Sequence, residues 1–130
     1  MSEILVNKLT GTSTAGSILV TGEGNSTTTN LQQGLCKTWV AATLEAVIYD
    51  SFNISSNTDE GTGDYKYGIS NALTRSSAET ASSGTSLGYG AVMRLKTAEA
   101  STTMIDIEMM NSSFSSLDAN HSALVHGDLA

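Results

Sequence analysis

The sequence has no proline, a single cysteine, a single tryptophan and two phenylalanines among 130 residues. With 12 glycines and no three-residue period, the missing proline excludes a collagen-like chain. The lone Cys36 excludes any disulfide within the chain and reads as a buried structural thiol. Basic residues are scarce. Lys8, Lys37, Lys66, Arg75, Arg94 and Lys96 stand against 13 acidic residues, for a formal charge of −7. They are scattered, whereas nucleic-acid binding needs a clustered basic face. The same deficit argues against an anionic membrane surface. No run approaches the ~18 apolar residues of a membrane span. The opening Met1-Ser2-Glu3-Ile4-Leu5-Val6 lacks the basic start and apolar core of a secretory signal. The expectation is a soluble protein made in a cytoplasm, with neither nucleic acid nor membrane as partner.

Core-forming residues are also short. Leu, Ile, Val and Phe make up about 21% of the chain, while Ser and Thr number 36. That apolar share lies close to the roughly 20% at which a chain stops looking able to fold alone. The charge is too moderate to signal disorder. The composition therefore suggests one β-rich domain that completes its core by association.

The dominant hydrophobic period is two. It predicts about eight short strands, near residues 3–9, 17–21, 35–42, 45–55, 64–70, 88–96, 103–110 and 122–126. Short strands at regular spacing suggest an antiparallel β-sandwich, jelly-roll-like, over residues 35–130. Trp39 and Phe52 are its expected core anchors. Residues 45–55 and 64–70 form the clearest hairpin, with Tyr65, Tyr67 and Ile69 on one face. The turn between them, Asp59, Gly61, Gly63, Asp64 and Tyr65, reads as a scaffold: glycines supply positive φ, carboxylates cap, and Tyr65 plugs the core. On 103–110, Ile105, Ile107 and Met109 take the core side, leaving Asp106 and Glu108 on the solvent side. A helix over 38–49 is rejected for want of a cap. The polar stretches 22–34 and 74–86 read as loops.

Residues 1–34 differ from the rest. Two small strands and a polar loop cannot bury a core. They read as an extended N-terminal arm in which Ile4, Val6, Ile18 and Val20 contact partner chains and cover strand edges.

Candidate chemistry is thin. His121 and His126 fall on opposite faces of one strand and cannot share a metal within a chain. Copies of one of them could meet an ion only at a symmetry axis, so ordinary hydrogen-bonded histidines are expected. The Asp59–Asp64 cluster lacks the spacing of a calcium loop. Gly61-Thr62-Gly63 is not a dinucleotide signature. Asp106 and Glu108 would lie roughly 7 Å apart, a spacing compatible with glycoside chemistry, but solvated strand charges are the simpler reading. No catalytic, cofactor or metal residues are assigned.

Two blocks carry a resemblance. Ala15 to Gly24 (AGSILVTGEG) runs on through Ser26-Thr27-Thr28-Thr29-Asn30-Leu31-Gln32-Gln33-Gly34-Leu35 to Lys37 and Trp39. Then Asp50-Ser51-Phe52-Asn53-Ile54-Ser55-Ser56 precedes Thr58-Asp59 and Gly61-Thr62-Gly63-Asp64-Tyr65. With the ending Val125-His126-Gly127-Asp128, these resemble tail-fibre-like structural virion proteins of tailed, especially marine, bacteriophages. The resemblance spans roughly residues 1–72 and the last few. After Trp39 the chain reads Val40-Ala41-Ala42-Thr43-Leu44-Glu45 in place of the family's usual Asn-Phe-Asp-Gly-type turn, and residues 74–102 match nothing in it. It implies a non-enzymatic, homotrimeric β-structured appendage located in the virion and synthesised in a bacterial cytoplasm. Implied partners are fibre, tail or major capsid proteins and a bacterial surface glycan or protein. A capsid decoration or cement protein is the alternative; a glycan-cleaving domain is the reading from another class.

Overall fold

Period-two patterning gives strands that need a paired edge, and each described strand finds at least one partner within the chain. A computed structural model describes residues 4–11, 18–21, 27–77, 81–86 and 90–127. These divide into two compact units, Met1–Leu35 and Cys36–Ala130.

In the first unit, β1 (Leu19–Thr21) pairs antiparallel with β2 (Thr28–Asn30), placing Val20 opposite Thr29. One helical turn, α1 (Leu31–Gly34), follows, and the Leu31 N–H donates to the Ile18 carbonyl at 2.9 Å. The strand expected over 3–9 is not formed: residues 4–9 carry no ladder and are exposed. A strand needs an adjacent edge, and none pairs with it here. The loop expected over 22–34 contains β2 and α1. None of the described side chains of this unit is buried.

The second unit is a sandwich of two four-stranded antiparallel sheets. One has the order β4 (Ile48–Phe52), β3 (Cys36–Ala42), β10 (His121–His126), β7 (Ala81–Ser86). The other has the order β5 (Ile54–Gly61), β6 (Asp64–Ile69), β9 (Met104–Met110), β8 (Val92–Leu95). Alternation puts Thr38, Val40, Ala42, His121, Ala123 and Val125 inward from the first sheet, and Tyr65, Tyr67, Ile69, Ile105, Ile107 and Met109 inward from the second. One inner face is mostly small and the other mostly large, so the two interdigitate. A core can thus close with few leucines and no buried phenylalanine among the described residues.

Several local expectations are corrected. The run 45–55 is not one strand. Asn53 takes φ 62°, which turns the chain out of β4 in one sheet into β5 in the other. Its side chain holds the corner: Nδ2 donates to the carbonyls of Lys37 (3.1 Å) and Asn71 (3.0 Å), and Oδ1 accepts the Asn71 N–H at 2.7 Å. The hairpin is therefore β5–β6. Residues 74–86 are not all loop, because Ala81–Ser86 is β7, registered on β10 from His121↔Ser86 to His126↔Ala81. Ladder bonds come from the backbone, so a Ser-rich segment can complete a sheet once an edge is offered. Trp39 is half-buried, and Phe52 is 53% exposed on edge strand β4; neither belongs to the core cluster. Residue parity explains both: the inward positions of β3 are taken by Thr38, Val40 and Ala42. β3–β4, β5–β6 and β8–β9 are sequential antiparallel neighbours within a sheet, whereas successive strands of a jelly roll pass between sheets.

Candidate functional site

The hairpin turn from the sequence is built as a plug between strands. Gly61 and Gly63 have φ 134° and 70°. The Gly61 N–H donates to Asp59 Oδ1 at 3.0 Å, and the Gly63 N–H donates to Asp118 Oδ1 at 2.6 Å. The Gly63 carbonyl accepts the Met109 N–H at 2.7 Å. Tyr65 is fully buried; its hydroxyl lies 2.8 Å from the Leu44 carbonyl and 3.2 Å from Asp118 Oδ1. Burial, reinforced by the Asp118 charge, pushes this phenol up to about 12. Asp64 faces the opposite side of the sheet and belongs to a different constellation, described below.

Behind the turn, His121 is buried and hydrogen-bonded at both ring nitrogens. Nδ1 lies 2.8 Å from the Ala119 carbonyl, which can only accept, so Nδ1 carries the proton. Nε2 therefore accepts from the Tyr67 hydroxyl at 2.6 Å. The Tyr65 ring stacks on the imidazole at 4.3 Å. With both nitrogens engaged inside the core, His121 has no lone pair to offer an ion. His126, at the end of the same strand, is half-buried. Cys36 is a half-buried free thiol, and its Sγ donates to the Thr38 carbonyl at 3.2 Å.

Burial holds the His121 imidazole below its ordinary value of 6.5. Between the folded value and 6.5 the unfolded chain binds a proton that the folded chain refuses. The stability owed to neutral His121 is therefore complete above 6.5 and declines as pH falls below it. Urea unfolding from about pH 7.5 down to about pH 5 is expected to show this decline, and His121→Gln is expected to flatten it. Asp106, held above its ordinary 3.8 mainly by burial, acts in the opposite sense as pH falls towards that value. The readout is therefore the difference between wild type and variant, and identical slopes would refute the assignment.

The outer face of the β6 sheet carries the densest chemistry. Register aligns Asp64 with Glu108 and Glu108 with Arg94 in one row. The next row aligns Lys66 with Asp106, and the Lys96 N–H donates to the Asp106 carbonyl at 2.8 Å. Six charged side chains thus form a two-by-three lattice over β6, β9 and β8 with the residue that follows it, Lys96. Lys66 pairs with Glu60 at 3.4 Å and with Glu99. The Arg94 Nε donates to Glu108 at 2.6 Å. Lys96 Nζ donates to both Asp64 oxygens, at 2.9 and 2.7 Å, and stands 3.8 Å from Asp106 Oδ1. To reach Asp64 on β6 from just past the end of β8, Lys96 must pass across β9, where Asp106 lies. Asp106 is consequently not the solvated charge its strand position suggests: it is 0% exposed, and neither carboxylate oxygen has a hydrogen-bond partner. The Lys96 charge counteracts burial without overcoming it, so the carboxyl is held above its ordinary value. Lys96 itself is raised, chiefly by its hydrogen bonds to Asp64. A cleft of about 340 Å³, lined by Arg94, Leu95, Lys96, Thr97 and Ala98, adjoins the lattice. Among the described residues no group of three or more His, Cys, Asp or Glu is placed to hold a metal ion.

Single strands reveal little of this lattice. Its signal is a repeated pair of charges two apart, Asp64/Lys66, Arg94/Lys96 and Asp106/Glu108, and pairing is needed to bring the three together. The remaining sequence candidates stay apart: Ile4, Val6, Ile18 and Val20 lie in the first unit, with Ile4 86% exposed and Val20 50% exposed. Parts of the resemblance-bearing blocks, residues 15–17, 22–26 and 128, lie outside the described residues. No family model, curated protein or solved structure matches the chain.

Proposed function

We propose that this chain is a non-enzymatic structural protein of a bacteriophage virion, a small tail-fibre or fibre-tip module that assembles as a homotrimer. The observation that carries the reading is the first unit's apolar surface. Ile4, Leu5, Val6, Leu9, Leu19 and Val20 are all at least half exposed. Such side chains come to rest when neighbouring chains cover them, through the arm's own association or its seat on a fibre, tail or capsid protein. The second unit, a β-sandwich with its own buried core, would be the part that meets a bacterial surface glycan or protein through its loops. The resemblance of residues 1–72 to tail-fibre-like proteins supplies the setting.

The charged lattice supports a structural role, since Asp64 and Glu108 are held by Lys96 and Arg94. A decoration protein clamping the phage head is the second reading, favoured by the exposed apolar side chains of the first unit, which a shell could cover.

Native mass spectrometry of the full chain is expected to show three copies of the 13.5 kDa protein. A single-chain mass at micromolar concentration would sink the assembly. Fluorescently labelled protein separates the two virion roles: a fibre module coats host cells and competes with infection, whereas a decoration protein coats expanded empty shells. Binding to neither would remove both.

A further inference from the structure

Asp106 and Lys96 present a combination that the virion role does not explain. A carboxyl group has been taken wholly out of water with both oxygens left without a hydrogen-bond donor. Such a group normally costs stability and is normally given a partner. The nearest cation, Lys96, spends its hydrogen bonds on Asp64 and merely stands beside Asp106, at 3.8 Å.

The geometry points to a covalent bond: an intramolecular amide between Lys96 Nζ and Asp106 Cγ, formed by the folded chain itself with Asp64 as its catalytic residue. Three requirements of that condensation meet here. The amine and carboxyl group are held together by the β8–β9 pairing, which makes their encounter intramolecular. The site is dry at the carboxyl, which favours the neutral acid over the carboxylate. A second carboxylate, Asp64, is already bonded to the attacking nitrogen and can carry protons.

The step balances without a co-reactant. The Lys96 ammonium gives one proton to Asp106, which becomes the neutral acid. The freed lone pair on Nζ attacks Cγ, forming the C–N bond, and Asp64 takes a second proton from the nitrogen, which that bond has left cationic. Asp64 then returns its proton to the hydroxyl on Cγ, the C–O bond breaks, and one water leaves. One positive and one negative charge disappear together, so net charge is unchanged. The product removes two costs at once. The orphaned carboxylate becomes an amide, and residues 96–106 become a closed ring that ties β8 to β9.

Intact-mass measurement of the purified full chain tests this directly. The wild-type protein is expected to be lighter than its sequence by one water. Trypsin is expected to leave the bond after Lys96 uncut, giving a peptide of residues 95–130 less one water. A second cut after Glu99 should open the ring yet leave the two fragments joined. Lys96→Arg and Asp106→Ala are each expected to restore the full sequence mass. Asp64→Asn is expected to slow the water loss, with folding checked by circular dichroism. Full sequence mass in the folded wild type overturns the proposal. So does a water loss that persists when trypsin cuts normally after Lys96, as a succinimide at Asp106 would give. Unchanged water loss in Asp64→Asn overturns the role given to Asp64.

Discussion

Adding one methyl group at Gly63 is expected to destabilise the sandwich by about 3 kcal/mol or more, the largest effect anticipated from a change of this size. Two costs add. Gly63 sits at φ 70°, where a residue with a Cβ is strained. A Cβ there would also collide with the Met109 carbonyl oxygen and stand 2.9 Å from the Leu117 nitrogen. Both obstacles are backbone, and the Leu117 N–H already donates to that same carbonyl at 3.1 Å. Relief therefore means displacing β9 or the 111–117 connection, since no side chain can swing aside. Urea unfolding of Gly63→Ala should show a midpoint far below wild type or no folded baseline at all. Gly61→Ala is the control. It has positive φ (134°) but no atom within 4 Å of the added carbon, so it should lose less. Equal losses at the two positions would refute the role of close approach.

Truncating Tyr67 to alanine is expected to cost about 3–5 kcal/mol, and Tyr67→Phe about 1–3 kcal/mol. The difference follows from what each variant leaves behind. The ring is fully buried between the sheets, so alanine opens a cavity lined by residues of both. Phenylalanine keeps the ring and removes only the hydroxyl that satisfies His121 Nε2. An imidazole nitrogen left in the core without a donor loses its solvation without replacement. Burial already pushes the Tyr67 phenol well above its ordinary value, so the hydroxyl remains a donor across the accessible pH range. Chemical denaturation of wild type and both variants at neutral pH checks the series. A Tyr67→Phe protein as stable as wild type would mean that His121 has found another donor.

The all-β class and the placement of most strands are legible in the residues because alternation is a local property. Tyr65, Tyr67 and Ile69, or Ile105, Ile107 and Met109, announce a buried face two residues at a time. The misses share a cause. β7 is written in Ala, Ser, Gly and Thr and exists because β10 offers an edge. Asn53 reads as one residue of a strand, and only its bonds to Lys37 and Asn71 reveal a corner. Phe52 looks like an anchor by type and lies outside by parity. For the candidate site the limits were sharper. The turn at Asp59–Tyr65 is contiguous and could be read directly. The pairing of Lys96 with Asp64 and Asp106 joins three strands and could not.

What the sequence by itself determined is the period of two, the shortage of large core residues, the isolated cysteine, the scattered cations and the glycine-bearing turn. Each is a property of neighbours along the chain or of composition. Tertiary structure alone decided that small and large inner faces would meet, that His121 would be locked between Tyr67 and Ala119, and that Asp106 would be sealed beneath charges from other strands. Those outcomes depend on register between distant segments. A strand pairing shifted by one residue would send Asp106 into the core and Ile107 to the surface.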